Sequence, residues 1–175
     1  MSKKTLIIYK AHDSKFANHH NDLYEGLEIL VRKYILNSPY FDVVFVKNNP
    51  TLTKAHFFEK ETHTLWFKNE ENYAAALRAK VLNAFEYFFI TKNSDYKNVF
   101  VTNLSTIVNT EKLEFECINN LGCSSDPGFY SWPLQTHTTM NINYYFPSGA
   151  GALFTSDLVK KVLQFKNKVN LNYCP

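Results

Sequence analysis

Apolar positions follow two rhythms along this chain, and the two alternate. Thr5-Leu6-Ile7-Ile8-Tyr9 is an apolar run of strand length. A polar loop, Ala11 to Asn21, comes next. Leu23, Leu27, Leu30, Val31, Tyr34 and Ile35 then recur at helical spacing, and Asn37-Ser38-Pro39 stops that helix. Asp42 to Lys47, with Val43, Val44, Phe45 and Val46 inside it, predicts a second buried strand, ended by Asn48-Asn49-Pro50. Thr64-Leu65-Trp66-Phe67 predicts a short third one. Tyr73, Leu77, Val81, Ala84, Phe85 and Phe88 form one helical stripe. Asn69 suits the N-cap of that helix, with Glu70 and Glu71 in its first turn favouring the dipole. Asn98 to Thr102 predicts a strand, and a short helix is expected around Glu111 to Asn119. Leu121 to Asn143 reads as loop-rich. Asn143 to Phe146 predicts a strand, Pro147 to Gly151 a tight turn, and Ser156 caps a last helix carrying Val159, Val162 and Leu163.

Alternating strands and helices imply an α/β fold, with a mainly parallel mixed sheet flanked by helices. Ligands of such sheets bind at the carboxyl ends of the strands. Those ends are Tyr9 to His12, Lys47 to Asn49, Thr102 to Ser105 and Phe146 to Gly151. The 175 residues suit one domain, 1–175, with no internal repeat. Apolar residues make up 45% and aromatics 16%, which excludes a disordered chain. Net charge is +3 with scattered basic residues, so no nucleic-acid patch is expected, while a phosphorylated substrate suits the mild positive balance. No apolar stretch approaches the ~20 residues of a membrane span, and the N-terminal apolar run is too short for a signal peptide. Three unpatterned cysteines, Cys117, Cys123 and Cys174, give no disulfide framework. A soluble, cytoplasmic protein is the expectation.

Several familiar signatures are missing. There is no GxxxxGK[ST] phosphate loop, no nucleophile elbow and no zinc-spaced Cys/His set. Gly149-Ala150-Gly151 lies between a strand and a helix, but Phe154 occupies the third glycine position of a dinucleotide fingerprint. His12, His19 and His20 share one loop, where solvated side chains are the ordinary reading and a metal site the sharper one.

Three segments in order carry more. The first is the acidic and aromatic stretch Glu70, Glu71, Tyr73 followed by Lys80-Val81-Leu82-Asn83-Ala84-Phe85. The second is Val99-Phe100-Val101-Thr102 running into Asn103-Leu104-Ser105-Thr106-Ile107-Val108-Asn109. The third is Tyr144-Tyr145-Phe146-Pro147-Ser148-Gly149-Ala150-Gly151, followed by Asp157-Leu158-Val159. Together they resemble the inverting β1,3-galactosyltransferase and Fringe-type glycosyltransferases, nearest to small soluble viral or bacterial members. The resemblance covers roughly residues 60 to 175. It implies a GT-A-like nucleotide-sugar-binding fold, with a nucleotide-binding half at 1–110 and an acceptor-side half at 111–175.

The resemblance also implies roles. Lys80 matches a helix lysine facing the nucleotide-sugar site, and by position it reaches either a diphosphate or solvent. Asn103 and Ser105 fall on the two metal-binding aspartates, so an Mn²⁺ or Mg²⁺ ion is implied there. Neutral oxygens hold such a hard cation poorly, and metal independence is the alternative. Ser148, Gly149 and Gly151, with Trp132, match the sugar and acceptor pocket; a tight turn before a helix is the plainer reading of those glycines. Tyr9, Lys10 and Ala11 match the family's nucleobase-binding position by topology, and Lys47 and Asn48 on the next strand join them as donor-side candidates, Lys47 or Lys80 or another basic residue being expected to stabilise the leaving diphosphate. Asn103-Leu104-Ser105 is also a glycosylation sequon, a weaker reading at a strand end. The family's catalytic base belongs to an acidic pair after the last helix, so the expectation is that the natural protein continues past Pro175. The implied activity is transfer of a sugar from a UDP- or GDP-sugar to a glycan or glycoprotein hydroxyl. The competing reading is a sugar- or protein-binding module of the same shape without catalysis.

Overall fold

A strand covered on both faces has no solvent side, so every position must be apolar. Leu6, Ile7, Ile8 and Tyr9 meet that demand, each at most 1% exposed. Each such burial contributes about 1.5–3 kcal/mol, which explains why this run sits at the centre of the sheet. The computed structural model describes residues 5–13, 15, 22–71, 73–118, 129–131, 134–139, 142–147 and 151–168. The run is β1 (Thr5–Lys10). After it come α1 (Asp22–Ile35), β2 (Phe41–Asn48), β3 (His56–Glu59), β4 (Thr64–Phe67) and α2 (Tyr73–Glu86). Then follow β5 (Asn98–Asn103), α3 (Thr110–Ile118), β6 (Phe129–Ser131), β7 (Leu134–Thr139), β8 (Ile142–Pro147), β9 (Ala152–Thr155) and α4 (Ser156–Gln164).

The main sheet has seven strands in the order β3-β4-β2-β1-β5-β9-β6, and β7 pairs with β8 in a separate antiparallel ribbon. The inner four, β4-β2-β1-β5, are parallel. β3, β9 and β6 join antiparallel, so half of the pairings oppose the mainly parallel expectation. The four unexpected strands are short or fall in the stretch that reads as loop. β3 and β9 have four residues each, too few for a period of two to stand out. β6 and β7 lie inside the segment expected to be loop-rich.

Side chains alternate across the sheet and build two cores. Leu6, Ile8, Val44, Val46, Val99 and Val101 face α2 and α4, meeting Ala84, Phe85 and Val159. Ile7, Tyr9, Val43 and Phe45 face α1 and α3, meeting Val31, Ile35, Leu113 and Cys117. Helices therefore cover both faces, as right-handed crossovers running in opposite directions require. The α1 stripe is narrower than its sequence spacing suggests. Val31 and Ile35 are buried, but Leu30 and Tyr34 are 64% and 53% exposed.

α2 runs on into a π-helical turn, Tyr87–Thr91, closed by Lys92 N–H donating to the Tyr87 carbonyl at 2.8 Å. Tyr87, Phe88 and Phe89 are all buried there. Three consecutive inward residues do not fit one face of a 3.6-residue helix, and the wider turn accommodates them.

Two phenols tie stability to alkaline pH. Tyr9 is buried, and Tyr96 is partly buried with its hydroxyl donating to Asp42 at 2.8 Å. Burial holds both phenols protonated well above their ordinary value of 10.0. The unfolded chain therefore loses these protons first, and stability falls as pH rises above 10. Lys10 and Lys80, both shifted downward by burial, act in the opposite direction, but only up to their ordinary value of 10.5. Denaturant midpoints measured above that value are expected to drop with pH, and Tyr96→Phe is expected to flatten the drop. An unchanged slope in Tyr96→Phe would show that its phenol titrates alike in both states.

Candidate functional site

In an open parallel sheet the loops diverge where the strand order reverses, and a crevice opens at the carboxyl ends there. Here the chain leaves β1 for β2 on one side and later returns to form β5 on the other. The reversal therefore lies between β1 and β5. Lys10 and Asn103 are the last residues of those strands and stand in register with each other. Lys10 shares the parity of Leu6 and Ile8, and Asn103 that of Val99 and Val101, so both belong to the α2 side of the sheet.

Lys80 comes to this end from α2 and is 1% exposed. Its ammonium donates to the Ala11 carbonyl at 2.5 Å and to the Glu71 carboxylate at 2.5 Å. Burial lowers its pKa, and Glu71 works against that shift. Of the two destinations open in the sequence, diphosphate or solvent, burial on Ala11 and Glu71 rules out solvent. Asn69 to Glu71 is not a first helical turn either, because α2 begins at Tyr73. The segment instead lies over the strand ends. Asn48, fully buried, donates its amide to the Glu70 carbonyl at 3.2 Å, and Glu71 turns onto Lys80. Asn48 Oδ1 and Glu71 Oε2 remain buried without a hydrogen-bond partner among the described residues.

Lys47 leaves the other face of β2 and pairs with Glu28 of α1 at 2.9 Å. Glu28 also holds Arg32 at 2.7 Å, and the Arg32 guanidinium lies 3.8 Å over the Phe45 ring. The Tyr9 ring stacks on Phe45 at 5.2 Å and 13°, and its buried hydroxyl has no partner among the described residues. Ala11 is buried beside it. Tyr9 and Ala11 therefore offer core packing and backbone here. His12, just past β1, lies with its ring 4.9 Å from that of Tyr24. Its pKa is lowered by burial first and by the Lys80 charge next, with Glu71 opposing.

Lys10 differs from the other two lysines. It is half-buried, and desolvation lowers its pKa. No carboxylate pairs with it among the described residues.

Asn103 is half-buried and Ser105 exposed, with buried Leu104 anchoring the turn between them. The turn closes through Thr106 N–H to the Asn103 carbonyl at 3.1 Å. These residues do not fit a divalent cation. They contribute two neutral oxygens and no charge, and the carboxylates of Glu71 and Glu28 pair with lysines. Among the described residues no group of three or more His, Cys, Asp or Glu could hold a metal ion.

Gly151 is buried, and a Cβ there would stand 2.3 Å from Cζ of Phe100. The ring of a β5 side chain thus explains this glycine without any ligand. Trp132, Ser148, Gly149, His19, His20, Cys123 and Cys174 lie outside the described residues. Sequence reasoning missed the counter-ions Glu28 and Glu71 and the Arg32 contact. Glu28 to Arg32 has the i,i+4 spacing that would have revealed that one pair. Nothing in the spacing of Glu71 and Lys80 signals their contact. No helix among the described residues is long and apolar enough to cross a membrane. No protein-family model and no curated protein matches this sequence.

Proposed function

We propose that the chain is a nucleotide-sugar-dependent glycosyltransferase with a GT-A-like sheet, transferring a sugar to an acceptor hydroxyl with inversion. The observation that carries the reading is the reversal of strand order between β1 and β5, with Lys10 and Asn103 side by side at its carboxyl end. That is where open α/β sheets take their ligands. The donor's diphosphate belongs at Lys10, Asn103 and the backbone of Ala11 to His12. The acceptor oxygen attacks the anomeric carbon as a base removes its proton. The carbon–oxygen bond to the nucleoside diphosphate breaks on the opposite face, and its electron pair leaves with the phosphate oxygen. The protein's part is alignment and stabilisation of the leaving charge. No step passes through a metal ion, because Asn103 and Ser105 offer a divalent cation no charge.

A second reading, a sugar- or protein-binding module without catalysis, draws on the internal pairing of Lys47 and Lys80. Titration calorimetry with UDP, GDP, UDP-glucose, UDP-galactose and GDP-mannose separates the two. The expected result is binding of at least one nucleotide with Kd between roughly 1 μM and 1 mM, the usual range for enzyme substrates. Slow release of free UDP or GDP from its sugar is expected as well. Binding without release under any acceptor condition favours the module, and no binding by any of the five overturns the glycosyltransferase reading.

A further inference from the structure

Three lysines converge on the carboxyl end of the parallel sheet, and their charges are accounted for differently. Lys47 is matched by Glu28 at 2.9 Å and Lys80 by Glu71 at 2.5 Å. Lys10 has no such match among the described residues, although it sits on the central strand and is half-buried. A partly desolvated cation without a counter-ion is costly unless an anion arrives from outside. Its register neighbour on the adjacent strand β5 is Asn103. A carboxylate at that position would stand directly beside Lys10 and cancel its charge, whereas the neutral amide leaves the charge available.

Among the described residues, the absence of a cation-binding donor set at Asn103 and Ser105 and the presence of an unmatched Lys10 beside them are therefore complementary. We infer that Lys10 supplies, in place of a divalent cation, the positive charge that holds the diphosphate of a nucleoside diphosphate at the β1/β5 crevice. This rests on the nucleotide-sugar reading and adds the group that stands in for the metal. Charge-assisted contacts to phosphate are about twice as strong as neutral ones, so one ammonium in a half-buried position makes a measurable difference.

The test is equilibrium binding of UDP, GDP, uridine and guanosine to the full chain, in EDTA and in Mn²⁺. For the nucleotide that binds, wild-type affinity is expected to be the same in both buffers. Lys10→Gln is expected to weaken diphosphate binding about 10- to 100-fold and to leave the matching nucleoside unaffected. Lys10→Arg keeps the charge and is expected to keep most of the affinity. Asn103→Asp is expected to weaken binding in EDTA, because its carboxylate competes for Lys10. Unchanged melting curves establish that each variant is folded; if Lys10→Gln does not fold, Asn103→Asp carries the test. Diphosphate binding that requires Mn²⁺, or that survives Lys10→Gln intact, overturns the inference and leaves the nucleotide-sugar reading standing. Binding of neither UDP nor GDP removes both.

Discussion

Replacing Glu71 by Gln is expected to destabilise the fold by about 3–5 kcal/mol, the usual consequence of stranding one member of a buried ion pair. Lys80 is 1% exposed and in that variant keeps only neutral acceptors, the Ala11 carbonyl and the new amide oxygen, with no counter-charge. A chain of this size loses about 2–4 °C in Tm for each kcal/mol, so a drop on the order of 10 °C is expected. The pH dependence identifies the cause. Lys80 already titrates below its ordinary 10.5, so between its folded pKa and 10.5 the unfolded state holds more protons and stability rises with pH. Removing Glu71 takes away the group that opposes the shift and extends this window downward. Glu71→Gln is therefore expected to regain more stability than the wild type as pH rises from neutral toward 10.5. The double variant Glu71→Leu/Lys80→Met removes both charges and is expected to recover most of the loss, since apolar replacement of a buried pair is often neutral or better. A Glu71→Gln variant with the wild-type Tm would mean that water reaches Lys80 in solution.

Gly151→Ala is expected to cost about 1–3 kcal/mol, the range for forcing an extra methyl into a filled site. The methyl meets the Phe100 ring along its edge, at 2.3 Å from Cζ and 2.9 Å from Cε2. Phe100 belongs to β5 and pairs in register with Leu153 of β9, so a shift of the ring strains the antiparallel join. Phe100→Leu in the Gly151→Ala background is expected to return part of the stability, and thermal melts of the two single variants and the double variant measure the coupling. Strict additivity would place the cost of Gly151→Ala elsewhere, for instance in a glycine-dependent approach to a ligand.

The central strands are legible in the sequence because burial on both faces leaves a continuous apolar signal. Leu6 to Tyr9, Val43 to Val46 and Val99 to Val101 are each such a run. The carboxyl ends where the strand order reverses follow directly from them. The antiparallel margin is not legible: His56 to Glu59 and Ala152 to Thr155 become strands by pairing with β4 and β5, a tertiary decision absent from four residues of local pattern. Glu71 shows how a local rule is overridden. A carboxylate in the first turn of a helix gains about 0.3–1 kcal/mol from the dipole. Leaving the buried Lys80 ammonium without a counter-charge would cost several times more, and here the helix begins only at Tyr73 with Glu71 turned inward onto Lys80. The glycine at 151 has a cause in Phe100, fifty-one positions earlier in the chain, that no local motif encodes.

The placement of β1 also governs how the molecule comes off the ribosome. Thr5 pairs with Phe41 on one edge and with Asn98 on the other. A nascent chain that has emerged only as far as β4 can close one side of its first strand and leaves the opposite edge bare. Bare edges of apolar strands are templates for pairing with other chains. The hazard persists until Asn98 to Asn103 emerges, and translation at about 5–20 residues per second sets its duration. The strand at which the sheet order reverses is thus the one whose protection comes late in synthesis.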